Sequence, residues 1–214
     1  MLKKVIGINA SGRKNWNCAK LLKESLKGAA SKGAETELIH LCDLKNIHPC
    51  QGCVYCKSKR APAGACAIKD DFTPLFEKIK NADALILSQP IYFSRESGYS
   101  RMFTERFIFP WYQYTSEVTK FPKKMNVGLI FTMNCPEDLA KKINYDYIFN
   151  TQKSTFDSVI GPTEVLKVYN TLQVKDYSKY NMTMFNPIDK HKYRKEHFPI
   201  DLDNAYQMGQ RLVE

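Results

Sequence analysis

Apolar and polar positions alternate between two periodicities along the chain. Short runs rich in apolar and β-branched residues predict five strands, at 2–9, 36–41, 82–88, 125–132 and 164–170. Helical spacing, as at Ala19, Leu22, Leu26 and Ala29, together with start and stop residues predicts helices. They cover 17–32, 71–80, 97–110, 136–149 and 202–213. Residues 43–70 show neither pattern and are expected to be irregular.

This alternation of strands and helices implies βαβ crossovers, hence a parallel sheet with helices on both faces. Five units favour an α/β fold with a flavodoxin-like, doubly wound, five-stranded parallel sheet. Ligands of such sheets bind beyond the carboxyl ends of the strands. The loops that begin at Ala10, Gln89 and Met133 are therefore the expected binding region. No linker or repeat divides the chain, so 1–214 is expected to be one domain, with a cysteine-rich loop at about 45–70.

The first of these loops joins a strand end to a helix N-terminus and reads NASGRKNWNC over 9–18. Backbone N–H groups and the positive helix end at such a junction favour an anion. Ser11 adds a hydroxyl, Asn15 and Asn17 add amides, and Arg13 adds a charge, so a phosphate fits. Neither the Walker A pattern nor G-x-G-x-x-G occurs in the chain. The alternative is an ordinary polar turn with an asparagine N-cap.

The second loop places two aromatic rings, Tyr92 and Phe93, just after a buried strand. A conjugated heterocycle would pack well on such rings, with Ser94 and backbone groups at its polar edge. The alternative is that one ring belongs to the core and the other is simply exposed.

Together these loops resemble the flavodoxin-fold NAD(P)H-dependent FMN reductase family, and especially its iron–sulfur flavoprotein branch. The stretch SGRKNWNC at 11–18 resembles the family's S-x-R-K-x-x-N-T phosphate loop, with Cys18 in place of the usual threonine. The stretch PIYF at 90–93 resembles the family's flavin loop, and KDDF at 69–72 resembles the sequence after its cysteine segment. The resemblance covers essentially the whole chain.

The resemblance implies that the protein binds FMN. The residues that would hold the phosphate are Ser11, Arg13, Asn15, Asn17 and Cys18. The residues that would line the isoalloxazine ring are Pro90, Ile91, Tyr92, Phe93 and Ser94. Because the flavin carries the chemistry, no acid–base residue is assigned.

Four of the seven cysteines are clustered, as Cys50, Cys53 and Cys56 in C-x2-C-x2-C and then Cys66. Three thiolates at this spacing suit an iron–sulfur cubane that a remote fourth completes. The resemblance implies a [4Fe–4S] cluster on these four, although the gap before Cys66 is longer than is usual in that branch. Zinc, which four thiolates also suit, and a set of reduced cysteines are the alternatives.

Charge adds a further expectation. The chain has 32 Lys and Arg against 22 Asp and Glu, a formal net charge of +10. Between 45 and 69 there are five basic residues and no acidic one. Such a loop would offset the charge of a thiolate-bound cluster and would suit an acidic electron-transfer protein. The other basic residues are scattered and form no nucleic-acid-binding motif, so no specific nucleic-acid binding is expected.

Apolar runs and aromatic content give expectations for location and assembly. No run of roughly 18 apolar residues occurs, so no membrane span is expected. The start of the chain turns polar too early for a secretory signal, so a cytoplasmic location is expected. The aromatic-rich stretch 107–121 exceeds what one helix face buries, and with the resemblance it predicts a homodimer or homotetramer.

The expected function is an FMN-dependent oxidoreductase. It would pass electrons from NAD(P)H or a reduced ferredoxin-type donor to a small-molecule or protein acceptor, through a [4Fe–4S] cluster if one is present. The alternatives are a non-enzymatic flavin and iron–sulfur electron carrier, and a cluster-free FMN or quinone reductase.

Overall fold

A computed structural model describes residues 2–214 of the chain. The strands are β1 (Lys4–Asn9), β2 (Glu35–His40), β3 (Ala84–Tyr92), β4 (Arg95–Glu96), β5 (Asn126–Thr132) and β6 (Thr163–Val168). The α-helices are α1 (Asn17–Ser31), α2 (Phe72–Lys80), α3 (Gly98–Ile108), α4 (Glu137–Lys142), α5 (Tyr145–Val159) and α6 (Pro187–Arg211). Single 3-10 turns lie at Leu41–Asp43, Tyr55–Lys57 and Tyr177–Lys179.

The sheet has five parallel strands in the order β2-β1-β3-β5-β6. This confirms the predicted flavodoxin-like, doubly wound fold. The short β4 adds an antiparallel pair to the end of β3, where Ile91 faces Glu96 and Tyr92 faces Arg95. Residues 89–92, expected in a loop, therefore belong to β3. The turn between β3 and β4 is formed by Phe93 and Ser94, both in the left-handed region with φ of 49° and 59°.

Apolar side chains fill both faces of the sheet. Along β3 they alternate: Leu85 and Leu87 pack with α2, α3 and α5, whereas Ala84 and Ile86 pack with α1 and α6. Burial on both faces explains the continuous apolar run in this central strand. Within residues 2–214, no helix combines the length and the apolar character needed to cross a membrane.

The C-terminal part differs from the prediction in two places. The helix predicted over 136–149 is two helices, α4 and α5, which meet at Asn144 in the left-handed region with φ of 60°. The last helix, predicted over 202–213, already begins at Pro187. Pro199 lies inside α6, and a proline normally ends a helix, so the sequence pattern favoured a start beyond it.

A buried ion pair fixes the irregular cysteine segment against α3. Arg106 donates hydrogen bonds to both carboxylate oxygens of Asp70, at 2.7 and 3.1 Å, and to the carbonyl oxygen of His48 at 2.8 Å. The two charged side chains are only 1% and 0% exposed. Burial opposes ionisation of Asp70, but the hydrogen bonds from Arg106 and from the His48 N–H outweigh it, and the pKa of Asp70 is lowered.

Helices α1 and α6 approach each other so closely that their contact requires glycine. A Cβ at Gly209 would overlap the carbonyl oxygen of Ser25, and one at Gly28 would overlap that of Tyr206. We expect Gly209→Ala to lower the free energy of unfolding by about 1–3 kcal/mol, measured by urea denaturation, because the helices must separate. Gly98→Ala is the control, since a Cβ there meets nothing within 4 Å. Equal stability of the two variants would contradict the close helix contact.

Candidate functional site

A cleft opens at the carboxyl edge of the sheet, between the loops that follow β1, β5 and β6 and the end of β3. Seven of the ten predicted cofactor residues line it: Ser11, Arg13, Asn17, Cys18, Pro90, Ile91 and Tyr92. The other three lie outside its lining. Asn15 and Phe93 are exposed, and the hydroxyl of Ser94 lies 3.3 Å from that of Tyr145.

The rest of the wall comes from residues that the sequence did not assign individually to the cofactor. They are Trp16, 132–134 after β5 and 171–173 after β6. The loop after β5 was expected to contribute, because it follows a central parallel strand. The loop after β6 carries no motif, and its position beyond the carboxyl end of a parallel strand next to β5 is the signal that identifies it.

The N-terminus of α1 faces this cleft without a side-chain cap. The N-cap position is Trp16, and no side chain accepts a hydrogen bond from the first turn. Asn17, the first helical residue, donates instead to the carbonyl oxygen of Leu172 at 3.0 Å. The structure therefore does not have the asparagine cap of the alternative interpretation. The first-turn N–H groups and the positive helix end suit an anion.

Arg13 is held against the cleft wall. Its guanidinium lies 4.1 Å from the ring centroid of Trp16 and donates to the carbonyl oxygen of Gln173 at 2.6 Å. Its backbone N–H donates to the hydroxyl of Ser11 at 3.2 Å, which tightens the loop. A fixed cation therefore stands beside the uncapped helix end.

Two polar atoms of the cleft-lining residues are buried and have no hydrogen-bond partner among the described residues. They are Oδ1 of Asn134 and Oε1 of Gln173. A buried acceptor left unpaired costs about 1–3 kcal/mol. A ligand that carries O–H or N–H donors as well as an anionic group would satisfy both these oxygens and the helix end.

Cys18 is buried beside this site, with its sulfur 3.1 Å from the hydroxyl oxygen of Thr132. Burial raises the pKa of Cys18 to about 11, so its thiol is neutral at physiological pH. It therefore adds no negative charge next to the helix end.

The four clustered cysteines line a second, small cavity together with Arg106 and Phe109. All seven cysteines of the chain are free thiols. Burial raises the pKa of Cys56, and the neighbouring thiols of Cys66 and Cys50 raise it further. Among residues 2–214, no three His, Cys, Asp or Glu side chains are placed so that they could hold a metal ion.

Arg106 places a buried guanidinium at the wall of this second cavity. Its guanidinium is held by Asp70, yet its Nε is buried without a partner. The charge of the guanidinium is compensated by Asp70, but its Nε–H remains an unused donor at the wall of the cysteine cavity. This N–H would stabilise a negatively charged group bound by the thiols.

Comparison with known proteins gives a family match. The family model described as NADPH-dependent FMN reductase matches residues 3–120. An iron–sulfur flavoprotein of Methanocaldococcus jannaschii is 42% identical over 103 residues, which is 48% of this chain and 51% of that protein. One from Archaeoglobus fulgidus is 33% identical over 105 residues, 49% of this chain and 46% of that protein. The chain spans about half the length of the curated relatives that it matches.

Solved structures share the fold over the whole chain. A structure described as NAD(P)H:quinone oxidoreductase from Methanothermobacter marburgensis has a TM-score of 0.73 at 15% identity, and the match covers 100% of this chain and 98% of that one. An FMN-dependent NADH-azoreductase from Bacillus anthracis, in complex with FMN, has a TM-score of 0.67 at 12% identity, covering 99% and 100% of the two chains. At these identities the likeness concerns the fold alone.

The curated relatives confirm the resemblance to iron–sulfur flavoproteins. The family match at 3–120 includes the loop that precedes α1, the four clustered cysteines and the β3–β4 turn. The chain belongs to the NADPH-dependent FMN reductase family.

Proposed function

We propose that this protein is an FMN-dependent oxidoreductase and that FMN binds in the cleft at the carboxyl edge of the sheet. The observation that carries the proposal is the uncapped end of α1 beside Arg13, in the same cleft as the unpaired oxygens of Asn134 and Gln173. FMN has the matching groups, because it combines an anionic phosphate with the hydroxyls of its ribityl chain and the N–H of its ring. When bound, FMN supplies the capacity to accept and release electrons.

Different residues of the cleft would bind the phosphate and the ring of FMN. Arg13 and the first-turn N–H groups of α1 would hold the phosphate, with Ser11 fixing the loop. Tyr92, which is half exposed at the end of β3, offers a flat surface to the ring. Burial raises the pKa of Tyr92, so its phenol keeps its proton and can donate a hydrogen bond.

We further propose that the four clustered cysteines hold a [4Fe–4S] cluster as a second redox group. Their shared cavity and the unpartnered Nε–H of Arg106 support this proposal. The names of the curated relatives also support it. Exposed basic residues of the same segment, Lys59, Arg60 and Lys69, would favour an acidic electron-transfer protein as donor or acceptor.

That the protein forms a homodimer or homotetramer is also a proposal. Its support is the exposed ring of Phe93 rather than the aromatic stretch 107–121. In the stretch 107–121, Phe107 and Trp111 are buried in the chain's own core. Phe93, at the β3–β4 turn beside the cleft, is fully exposed. A second copy that covers this ring would also shield the cleft from water.

Substitution of Arg13 tests the phosphate site. We expect Arg13→Gln to raise the Kd of the flavin-free protein for FMN about 10- to 100-fold, because one charge-assisted hydrogen bond is lost. Calorimetric titration with FMN measures this change. Lys14→Gln is the matched control, since Lys14 pairs with Asp43 at 2.8 Å and does not line the cleft. Equal effects of the two substitutions would exclude a specific role for Arg13.

Substitution of Cys56 tests the cluster. Anaerobically purified protein should contain iron and acid-labile sulfide in equal amounts, and Cys56→Ser should lose most of both, because a serine is a poor cluster ligand. Cys42→Ser is the matched control, since Cys42 does not line the cysteine cavity, and it should keep both. Zinc, or no metal, in the unsubstituted protein would contradict the proposal.

Mixing with reduced nicotinamide separates an enzyme from a carrier. We expect NADPH, mixed anaerobically with the FMN-loaded protein in a stopped-flow instrument, to bleach the flavin absorbance in a single turnover. Reduction by dithionite but not by NADPH or NADH would instead support the non-enzymatic electron carrier.

A further inference from the structure

Two cations on one face of α6 lie behind the cleft without a carboxylate partner. Lys190 is 5% exposed, and Arg194 follows one helical turn later and is half-buried. The Nζ of Lys190 donates to the carbonyl oxygens of Asn134 at 3.3 Å and Asn170 at 3.2 Å, and to the side-chain oxygen of Asn170. Arg194 donates to the side-chain oxygen of Asn17.

All the atoms that accept from these two cations are neutral. In the part of the chain that the structure describes, neither cation has a carboxylate oxygen within 4.0 Å. The guanidinium of Arg194 lies 3.3 Å from the ring centroid of Phe198, which is a weak substitute for a counter-charge. Burial of a cation without a counter-charge is unfavourable, and it lowers the pKa of Lys190 to about 8 and that of Arg194 to about 10.

The acidic groups that act electrostatically on the two cations are Cys135, on Lys190, and Asp201, on Arg194, and together they supply at most one negative charge. Burial raises the pKa of the Cys135 thiol beside Lys190, so that thiol stays neutral. Burial also raises the pKa of Asp201, near Arg194, to about 6. Asp201 is therefore ionised at neutral pH and compensates one of the two charges, so one uncompensated positive charge remains behind the cleft.

Both cations act on residues of the cleft itself. Asn17 is the first residue of α1 and lines the cleft, and so does Asn134. Asn170 directly precedes the lining residues after β6. Helix α6 thus holds three segments that form the cleft: the start of α1, the loop after β5 and the loop after β6. Lys190 and Arg194 do this without lining the cleft themselves.

We propose that Lys190 and Arg194 make the cleft selective for a phosphorylated flavin over an unphosphorylated one. They are positioning residues: Lys190 holds the backbone of Asn134 and Arg194 holds the side chain of Asn17. Their uncompensated charge favours a dianionic phosphate at the end of α1. This inference rests on the proposal that FMN occupies the cleft. It adds that the discrimination between FMN and riboflavin originates in α6, outside the phosphate loop.

Titration of the flavin-free protein with FMN and with riboflavin tests this. We expect Arg194→Gln and Lys190→Gln each to raise the Kd for FMN about tenfold, since a partly buried unit charge is removed near a dianion. The Kd for riboflavin should change less than about threefold. Arg194→Lys, which keeps the charge, should retain most of the FMN affinity. Lys195→Gln, an exposed lysine of the same helix, is the matched control and should change neither affinity.

The possible outcomes separate this inference from the proposed function. If a substitution weakens both flavins equally, α6 has a merely structural role and the inference is wrong. It is also wrong if neither affinity changes. If the unsubstituted protein binds neither flavin, the proposed function itself fails. Should Lys190→Gln not fold, as judged by circular dichroism, Arg194→Gln and Arg194→Lys still decide the question.

Discussion

The parallel orientation of five strands is the constraint on which the site depends. Parallel strands all end at the same edge, so the loops after β1, β3, β5 and β6 must meet there although their residues are far apart in the chain. Ser11 and Leu172 line one cleft for this reason. The same crossovers aim the N-terminus of α1 at that edge, where its uncapped N–H groups become a binding surface.

Helix α3 connects this edge to the cysteine cavity as a rigid spacer. At its start, the hydroxyl of Ser97 donates to the carbonyl oxygen of Ala10 at 2.7 Å, which ties the helix to the loop after β1. Near its end, Arg106 lines the cysteine cavity and holds Asp70. At a rise of about 1.5 Å per residue, these two positions lie roughly 14 Å apart. The two candidate redox sites are thus fixed to opposite ends of one helix.

Local pattern predicted the elements whose environment is uniform. The buried strands β3 and β5 have continuous apolar runs, and the loop before α1 has small and polar residues at a strand end, so both were found. The pattern failed where tertiary contacts decide. Asn186 accepts hydrogen bonds from Ile188 and Asp189, and Pro187 follows at the first helical position, which together form a clear helix start. The predicted helix, 202–213, covers only the C-terminal part of α6.

Burial of charge is the property that sequence pattern conveys least. Arg106 occupies an ordinary helical position, and nothing local shows that its side chain is 1% exposed and paired with Asp70. Lys190 and Arg194 lay outside the predicted helix altogether, so their common face was invisible. The same holds for the lining residues after β6, which no motif distinguishes. Their role follows from strand order, and strand order depends on contacts across the whole chain.

The presence of Cys18 in the first turn of α1 fits this distribution of charge. Its thiol is neutral, because burial raises its pKa to about 11. The hydroxyl of Thr132, on β5, lies 3.1 Å from its sulfur. A hydroxyl donor therefore remains beside the helix end, but it comes from another strand. An ionised thiolate here would offset the positive charge of Arg13 and of the N-terminus of α1. Because Cys18 stays protonated, the charges nearest the cleft are positive, and they favour the binding of an anion.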